Sequence, residues 1–243
     1  LIAIGRKQDR PGLIAALVLV VQTMFYFIFY QQMSTSLSLF ALRNVDPAFN
    51  VFGVHLWDWS PAQFQAFNPI WIFILSPILA WIYTAAGKRG KDLSIAAKFA
   101  LGFAIVALGF FIYGAATHFA GPDGRVSSWL MVWGYAGISL GELLVSGLGL
   151  AMVARYVPAS MGGFMMGAYF VASGISQYLG GVVASWASIS GDQLTDPVAS
   201  LPIYASLFNK LGFAALLCTV IAIAVLPLMK RLSAAHNEHR AAG

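Results

Sequence analysis

Charged residues divide the chain into long apolar runs and short polar intervals. No charge occurs from Pro11 to Leu42, which predicts a first helix over about residues 13–42, longer than a bilayer needs. Its far end is polar, with Gln31, Gln32, Ser34, Thr35, Ser36 and Ser38. A loop over 44–62 holds Asp46, Pro47, Asp58 and Pro61. A second helix is predicted over 65–86, begun by Asn68-Pro69 and interrupted at Ser76-Pro77, where a proline frees backbone carbonyls and kinks the helix. The basic loop GKRGK (87–91) leads to a third helix over 96–118, and the loop AGPDGR (120–125) to a fourth over 128–154. A tight turn at Tyr156-Val157-Pro158 opens a fifth over 161–187. A loop with Asp192 and Asp196 precedes Pro202 and a sixth helix over 206–229, and a polar tail ends the chain.

Composition sharpens this picture. Of 243 residues, 59% are hydrophobic and only 9% charged, against about 25% charged in soluble domains. The mean hydropathy is +0.77. No ten-residue alternation marks a barrel, so the fold expected is all-α and integral to a membrane, a bundle of six transmembrane helices. The pI near 9.4 does not point to nucleic acid, because the basic residues crowd the ends of apolar runs. Eleven of them (Arg6, Lys7, Arg10, Lys88, Arg89, Lys91, Lys98, Arg155, Lys230, Arg231, Arg240) fall on the side of both termini, and Arg43, Arg125 and Lys210 on the other. By the positive-inside rule both termini are expected to be cytoplasmic. Three helices followed by three in opposite orientation is also what an inverted repeat would give. The lone Cys218 forms no internal disulfide. The chain opens on Leu1 without a signal-peptide pattern, and is expected to be a fragment of a longer protein.

The fourth helix carries the candidate chemistry. Between Arg125 and Arg155 the one charged residue is Glu142, near the middle of a span. A carboxylate at bilayer depth is costly and as a rule faces a water-filled cavity with a function. The alternative is a protonated structural carboxyl bonded to a neighbouring helix. Helical spacing puts Ser146 one turn from Glu142 on the same face, with Ser139 and Gly149 close to it. Gly134, Gly137 and Gly141 form a small-residue stripe for close helix approach.

Other polar groups carry less. Gln31 reads equally as a substrate ligand or an interfacial amide, and Gln32 as a structural amide. Asn68 before Pro69 reads first as an N-cap. Phe25, Tyr26, Phe27, Phe29 and Tyr30 ring the first helix, with lipid packing as their default, whereas Tyr169 lies among small residues and suits a pocket. His236 and His239 have metal-like spacing but no third ligand, so a solvated tail is expected. Ser146 has no His or Lys on its helix to activate it, and no zinc-protease, Gly-x-Ser-x-Gly or phosphate-loop motif occurs, so neither an enzyme nor a metal site is expected.

Four stretches are similar in order and spacing to one family: YQQMSTSLSLFALRNVD (30–46), FNPIWIFILSPILAWIYTAAGKRGK (67–91), KFALGFAIVALGF (98–110) and GELLVSGLGLAMVARYVPASMGGFMMGAYF (141–170). The sequence resembles the carboxy-terminal six-helix half of the proton-dependent oligopeptide transporter (POT) family of the major facilitator superfamily. Its short loops resemble the bacterial members. The resemblance implies a proton-coupled di-/tripeptide symporter of the bacterial inner membrane, with protons as the coupling ion and no cofactor. Residues 1–243 would be its carboxy-terminal half, working with an amino-terminal six-helix half that is absent here and that carries an acidic-basic motif and a coupling lysine. Six helices alone cannot give alternating access, so twelve or more spans are expected.

The resemblance also implies roles. Glu142 matches the anchor of the peptide's α-amino group, Ser146 lines the same pocket, and Asn68 matches an asparagine that bonds the peptide backbone. Tyr169 and Phe27 fall where many members carry pocket tryptophans. Gln31 falls where many carry an acidic residue that closes the outer gate through an ion pair with the other half. A neutral amide cannot make that pair, which implies an atypical subgroup with altered coupling and a narrower substrate range. A carrier of another small solute on the same fold, and a non-transporting membrane scaffold, are the alternatives.

Overall fold

A computed structural model describes residues 9–187 and 196–241, with the side chains of 148–154 and 238–241 left aside. Seven α-helices and a β-hairpin make up the described chain. In order they are α1 (Arg10–Tyr30), α2 (Ser36–Asn44), β1 (Ala48–Val51), β2 (Val54–Asp58), α3 (Phe67–Lys88), α4 (Ile95–Gly114), α5 (Trp129–Tyr156), α6 (Gly162–Ser185) and α7 (Pro197–Ala241). Five helical stretches, Arg10–Asn44, Pro61–Lys88, Ile95–His118, Trp129–Gly147 and Pro197–Asn237, are long and apolar enough to cross a membrane. The 24-residue α6 is long enough but diluted by glycine, serine and glutamine.

The first apolar run is not one helix, contrary to the sequence expectation. Its polar end breaks the ladder. Thr35 Oγ1 donates to the Gln31 carbonyl (2.8 Å), Ser38 Oγ to that of Met33 (2.8 Å) and Ser36 Oγ to Gln32 Oε1 (2.7 Å). Hydroxyls that bond nearby backbone compete with helical pairing. A 3₁₀ turn over Gln31–Met33 and a bend at Thr35 (φ −118°, ψ −95°) result. The opposite correction applies at Pro77. The helix runs through it unbroken from Phe67 to Lys88, and Ser76 Oγ takes the Ile72 carbonyl (2.6 Å).

The segment read as a loop over 44–62 holds the hairpin, in which Phe49 pairs with Trp57 and Val51 with Val54. Phe52 (φ 49°) and Gly53 (φ 80°) form its turn. Next to it, buried Asn44 ties three segments together. Its Nδ2 donates to the carbonyls of Gly124 (3.1 Å) and Pro197 (2.7 Å), and its Oδ1 accepts from Ser200 (3.1 Å). Residues 197–205, read as loop, are already the start of α7, which runs for 45 residues through Pro202 and Pro227.

The tail is helical too, and His236 is buried rather than solvated. Its Nε2 lies 3.1 Å from the Arg155 carbonyl, and its ring packs on Tyr156. His239 lies outside the residues whose side chains are described.

Helices α4, α5 and α7 form the tight part of the bundle, centred on Phe103, Phe110, Tyr113, Tyr135 and Phe208. The glycine stripe on α5 meets a second one on α4. A Cβ at Gly137 would lie 3.4 Å from Gly109 Cα, and one at Gly141 would lie 2.5 Å from Val106 Cγ2 and 3.1 Å from the Gly102 carbonyl oxygen. Backbone approach of this kind drives helix association where no hydrophobic effect operates between helices. Gly141→Leu in the full-length protein should therefore lower its thermal stability in detergent by about 2 kcal/mol or more. Gly147→Ala, on the same helix with nothing within 4 Å of the added carbon, should change little.

Candidate functional site

The site begins with the spacing of polar residues on α5. Tyr135, Ser139, Glu142 and Ser146 recur at intervals of four, three and four, one face of a helix. Glu142 is half-buried on that face, and Ser139 is fully buried. From α3, the Asn68 amide Nδ2 donates to Glu142 Oε2 (2.7 Å) and Ser139 Oγ (3.1 Å). The N-cap reading of Asn68 is thus overturned: it stands inside the first turn of α3, Ala66 holds the cap position, and its side chain crosses to α5. Trp71, one turn on, fixes the same pair of helices through Nε1 to the Val132 carbonyl (2.9 Å).

Glu142 has no Lys, Arg or His partner among the described residues. One amide proton is a partial answer to a full carboxylate charge, and a charge at this depth is tolerated when a cation or a proton completes it.

Tyr30, Met33, Ser34, Gln65, Asn68 and Tyr135 line a small cavity of about 100 Å³ beside this constellation. Tyr135 Oη donates to the Met33 carbonyl (3.4 Å), and Gln65 Nε2 to Ser38 Oγ (3.0 Å). Tyr26 and Tyr30 lie within electrostatic range of Glu142. Tyr26 is fully buried, its hydroxyl on the Ile138 carbonyl (3.3 Å), and Phe29 is core, so lipid packing is not the role of these two rings.

The remaining candidates sit around this centre. Phe27 and Tyr169 meet edge-to-face (ring centroids 6.3 Å apart), joining α1 to α6, and Phe27 also meets Tyr30 (5.9 Å). Gln31 does not reach Glu142. Its Nε2 donates to Ser34 Oγ (3.1 Å), at the edge of the cavity, and its stem lies against Gly180, where an added Cβ would be 2.5 Å from Gln31 Cβ. Gln32 is a structural amide, fully buried, donating to the carbonyls of Ile28 (3.1 Å) and Gly180 (3.0 Å). Ser146 is half-buried one turn beyond Glu142 and takes no part in the Asn68 network. Sequence reasoning passed over Tyr30, Ser34, Gln65 and Tyr135 as lining residues. Tyr135 was within reach, since it continues the α5 polar stripe by four residues. Gln65 and Ser34 come from a turn and a bend that no helical periodicity reveals.

This arrangement has close relatives. The sequence model of the POT family matches residues 4–194. Dipeptide and tripeptide permease B of Salmonella typhimurium is 40% identical over 226 residues, 93% of this chain and 45% of its own length. That of Aliivibrio fischeri is 42% identical over 226 residues, again 93% of this chain and 44% of the relative. Among solved structures, a bacterial homologue of the human drug peptide transporters PepT1 and PepT2 is 68% identical with a TM-score of 0.78, covering 91% of this chain and 44% of that one. A crystal structure of tetrameric PepTSo2 in the I4 space group is 66% identical with a TM-score of 0.80, covering 96% and 45%. The chain spans about half the length of the curated relatives it matches. Its helices form an all-α membrane bundle of the kind that makes one half of these transporters, and with its match over most of the length the chain belongs to the POT family.

Proposed function

We propose that the chain is the carboxy-terminal half of a proton-coupled symporter of di- and tripeptides. It would sit in the bacterial inner membrane with both termini cytoplasmic, and work by alternating access with an amino-terminal half. The observation that carries this reading is the half-buried Glu142 carboxylate, oriented by Asn68 and lacking a cationic partner among the described residues. A peptide's α-ammonium would complete it, and a proton would serve when the peptide has left. With its two amide protons on Glu142 and Ser139, Asn68 has its side-chain carbonyl to offer the peptide backbone. Phe27, Tyr169 and Ser146 would border the bound peptide. The relatives named as dipeptide and tripeptide permeases support this substrate class.

Glu142→Gln keeps the shape and loses the charge. In the full-length protein it should abolish uptake of free dipeptides, because removing one partner of a desolvated charge pair costs about 2–5 kcal/mol. Folding and insertion should be unaffected. A peptide acetylated at its amino group should compete poorly with the wild type and lose little more in the variant. Normal transport by Glu142→Gln, or equal competition by the acetylated peptide, would refute the assignment.

Gln31 would weaken the closing of the outer gate relative to members with an acid there. Gln31→Glu should shift the pH dependence of proteoliposome uptake, and an unchanged profile would remove Gln31 from the coupling step. For orientation, Lys91→Cys and Pro122→Cys, introduced singly with Cys218 replaced by alanine, flank α4 and should label from the cytoplasmic and the outer side respectively. Labelling of both from one side would sink the topology.

A further inference from the structure

We propose that the basic-rich end of the bundle holds a binding site for the phosphodiester headgroup of an anionic membrane lipid, between α4, α5 and α7. A cavity of about 290 Å³ opens there. Arg155, at the end of α5, and Lys230, on α7, both line it. Neither has a carboxylate partner among the described residues. The nearest carboxylate in sequence to the α4 end of the cavity, Asp92, is already paired with Lys98 at 3.0 Å. Among the described residues the two cations therefore share one opening without a carboxylate, and the guanidinium lies over the Tyr156 ring, 5.8 Å from its centroid.

Hydroxyls and an apolar floor complete the match. Ser94, Ser233 and Asn237 line the cavity with the cations, and Ile95 and Met229 supply carbon surface. A phosphodiester needs positive charge and hydrogen-bond donors, and the glycerol and first acyl carbons behind it need an apolar surface. Basic pockets between transmembrane helices suit such headgroups. The walls are fixed before any ligand arrives. Tyr156 Oη lies 2.9 Å from Ser233 Oγ, and buried His236 fastens α7 to the Arg155 carbonyl at 3.1 Å. A headgroup seated here would join three helices at one membrane surface, away from the Glu142 site.

Native mass spectrometry of the intact protein, in micelles doped with phosphatidylglycerol or with phosphatidylcholine of the same acyl chains, tests this. Phosphatidylglycerol should be retained about fivefold more than phosphatidylcholine. Arg155→Gln combined with Lys230→Gln should lower its retention about tenfold. Ala234→Phe keeps both charges but fills the cavity, and should lower it similarly. Lys88→Gln with Arg89→Gln, the same charge change at the end of α3, should leave it intact. No preference for the anionic lipid, retention by both cavity variants, or equal loss in the loop variant would overturn the site. Complete displacement of the lipid by inorganic phosphate at about 10 mM would assign the cavity to a free anion and overturn the lipid reading.

Discussion

In a chain this apolar, every polar side chain at membrane depth must find its partner within the protein, because hydrocarbon offers none. Most do so within one helical turn. Thr23 donates to the Leu19 carbonyl (2.9 Å), Ser176 to Ala172 (2.6 Å) and Thr219 to Ala215 (2.9 Å). Gln32 reaches across to Gly180 on α6 and takes Ser36 on its carbonyl oxygen. These groups are closed: their donors are used and their surroundings are packed. Glu142 is the exception that matters, with a full carboxylate and the single amide of Asn68. Gln22 Oε1 and Tyr83 Oη are buried without a partner too, but they are neutral; Glu142 is the carboxylate that the described residues leave without a cation.

The positions of Glu142 and Asn68 follow from how unevenly the bundle is packed. Helices α4 and α5 approach through facing glycines, and α7 closes over them with Tyr204, Phe208 and Leu211. In contrast, α3 buries none of its most apolar stretch, and α6 buries only Met165, Tyr169, Ser176 and Gly180. Glu142 stands on the tightly packed block and Asn68 on the sparsely buried helix, so the 2.7 Å bond between them joins the two. The Asn68–Ser139 and Trp71–Val132 bonds and the Phe67–Tyr135 and Trp71–Trp133 ring contacts add to it between the same helices. A ligand that took the Asn68 proton away from Glu142 would alter the tie between α3 and the block directly.

Much of this was legible from residues alone. The charge gaps locate the apolar runs, and the isolated Glu142 marks the candidate centre, where the structure brings Asn68 and Ser139 together. The α5 glycine stripe foretold a close helix contact without naming its partner, since Gly102 and Gly109 become a facing stripe only once α4 and α5 are superposed at the right height. Asn68 was misread for a physical reason. Asn followed by Pro at a helix start fits a cap, and only the neighbouring helix reveals a stronger use for the amide. Hydropathy makes the first helix too long because it does not register hydroxyls that bond back to nearby backbone. His236 was assigned to solvent because it lies in a polar terminal stretch. Its burial depends on Gly12, whose missing side chain leaves room where a Cβ would lie 2.6 Å from His236 Nδ1.

Gly12 on α1, the Arg155 carbonyl at the end of α5 and His236 on α7 meet at one point. At the far end Asn44, Gly124 and Pro197 meet in the same way, joining α2, the α4–α5 loop and α7. Helix α7 is thus clamped at both ends to the segments that flank α4 and α5, and no equivalent clamp holds α3 or α6 among the described residues. Within this chain α4, α5 and α7 form the packed frame, and α3 and α6 leave most of their apolar surface uncovered. The Glu142–Asn68 bond joins α3 to that frame and the Phe27–Tyr169 contact joins α6 to α1, so the proposed peptide contacts lie where these two helices meet the rest of the chain.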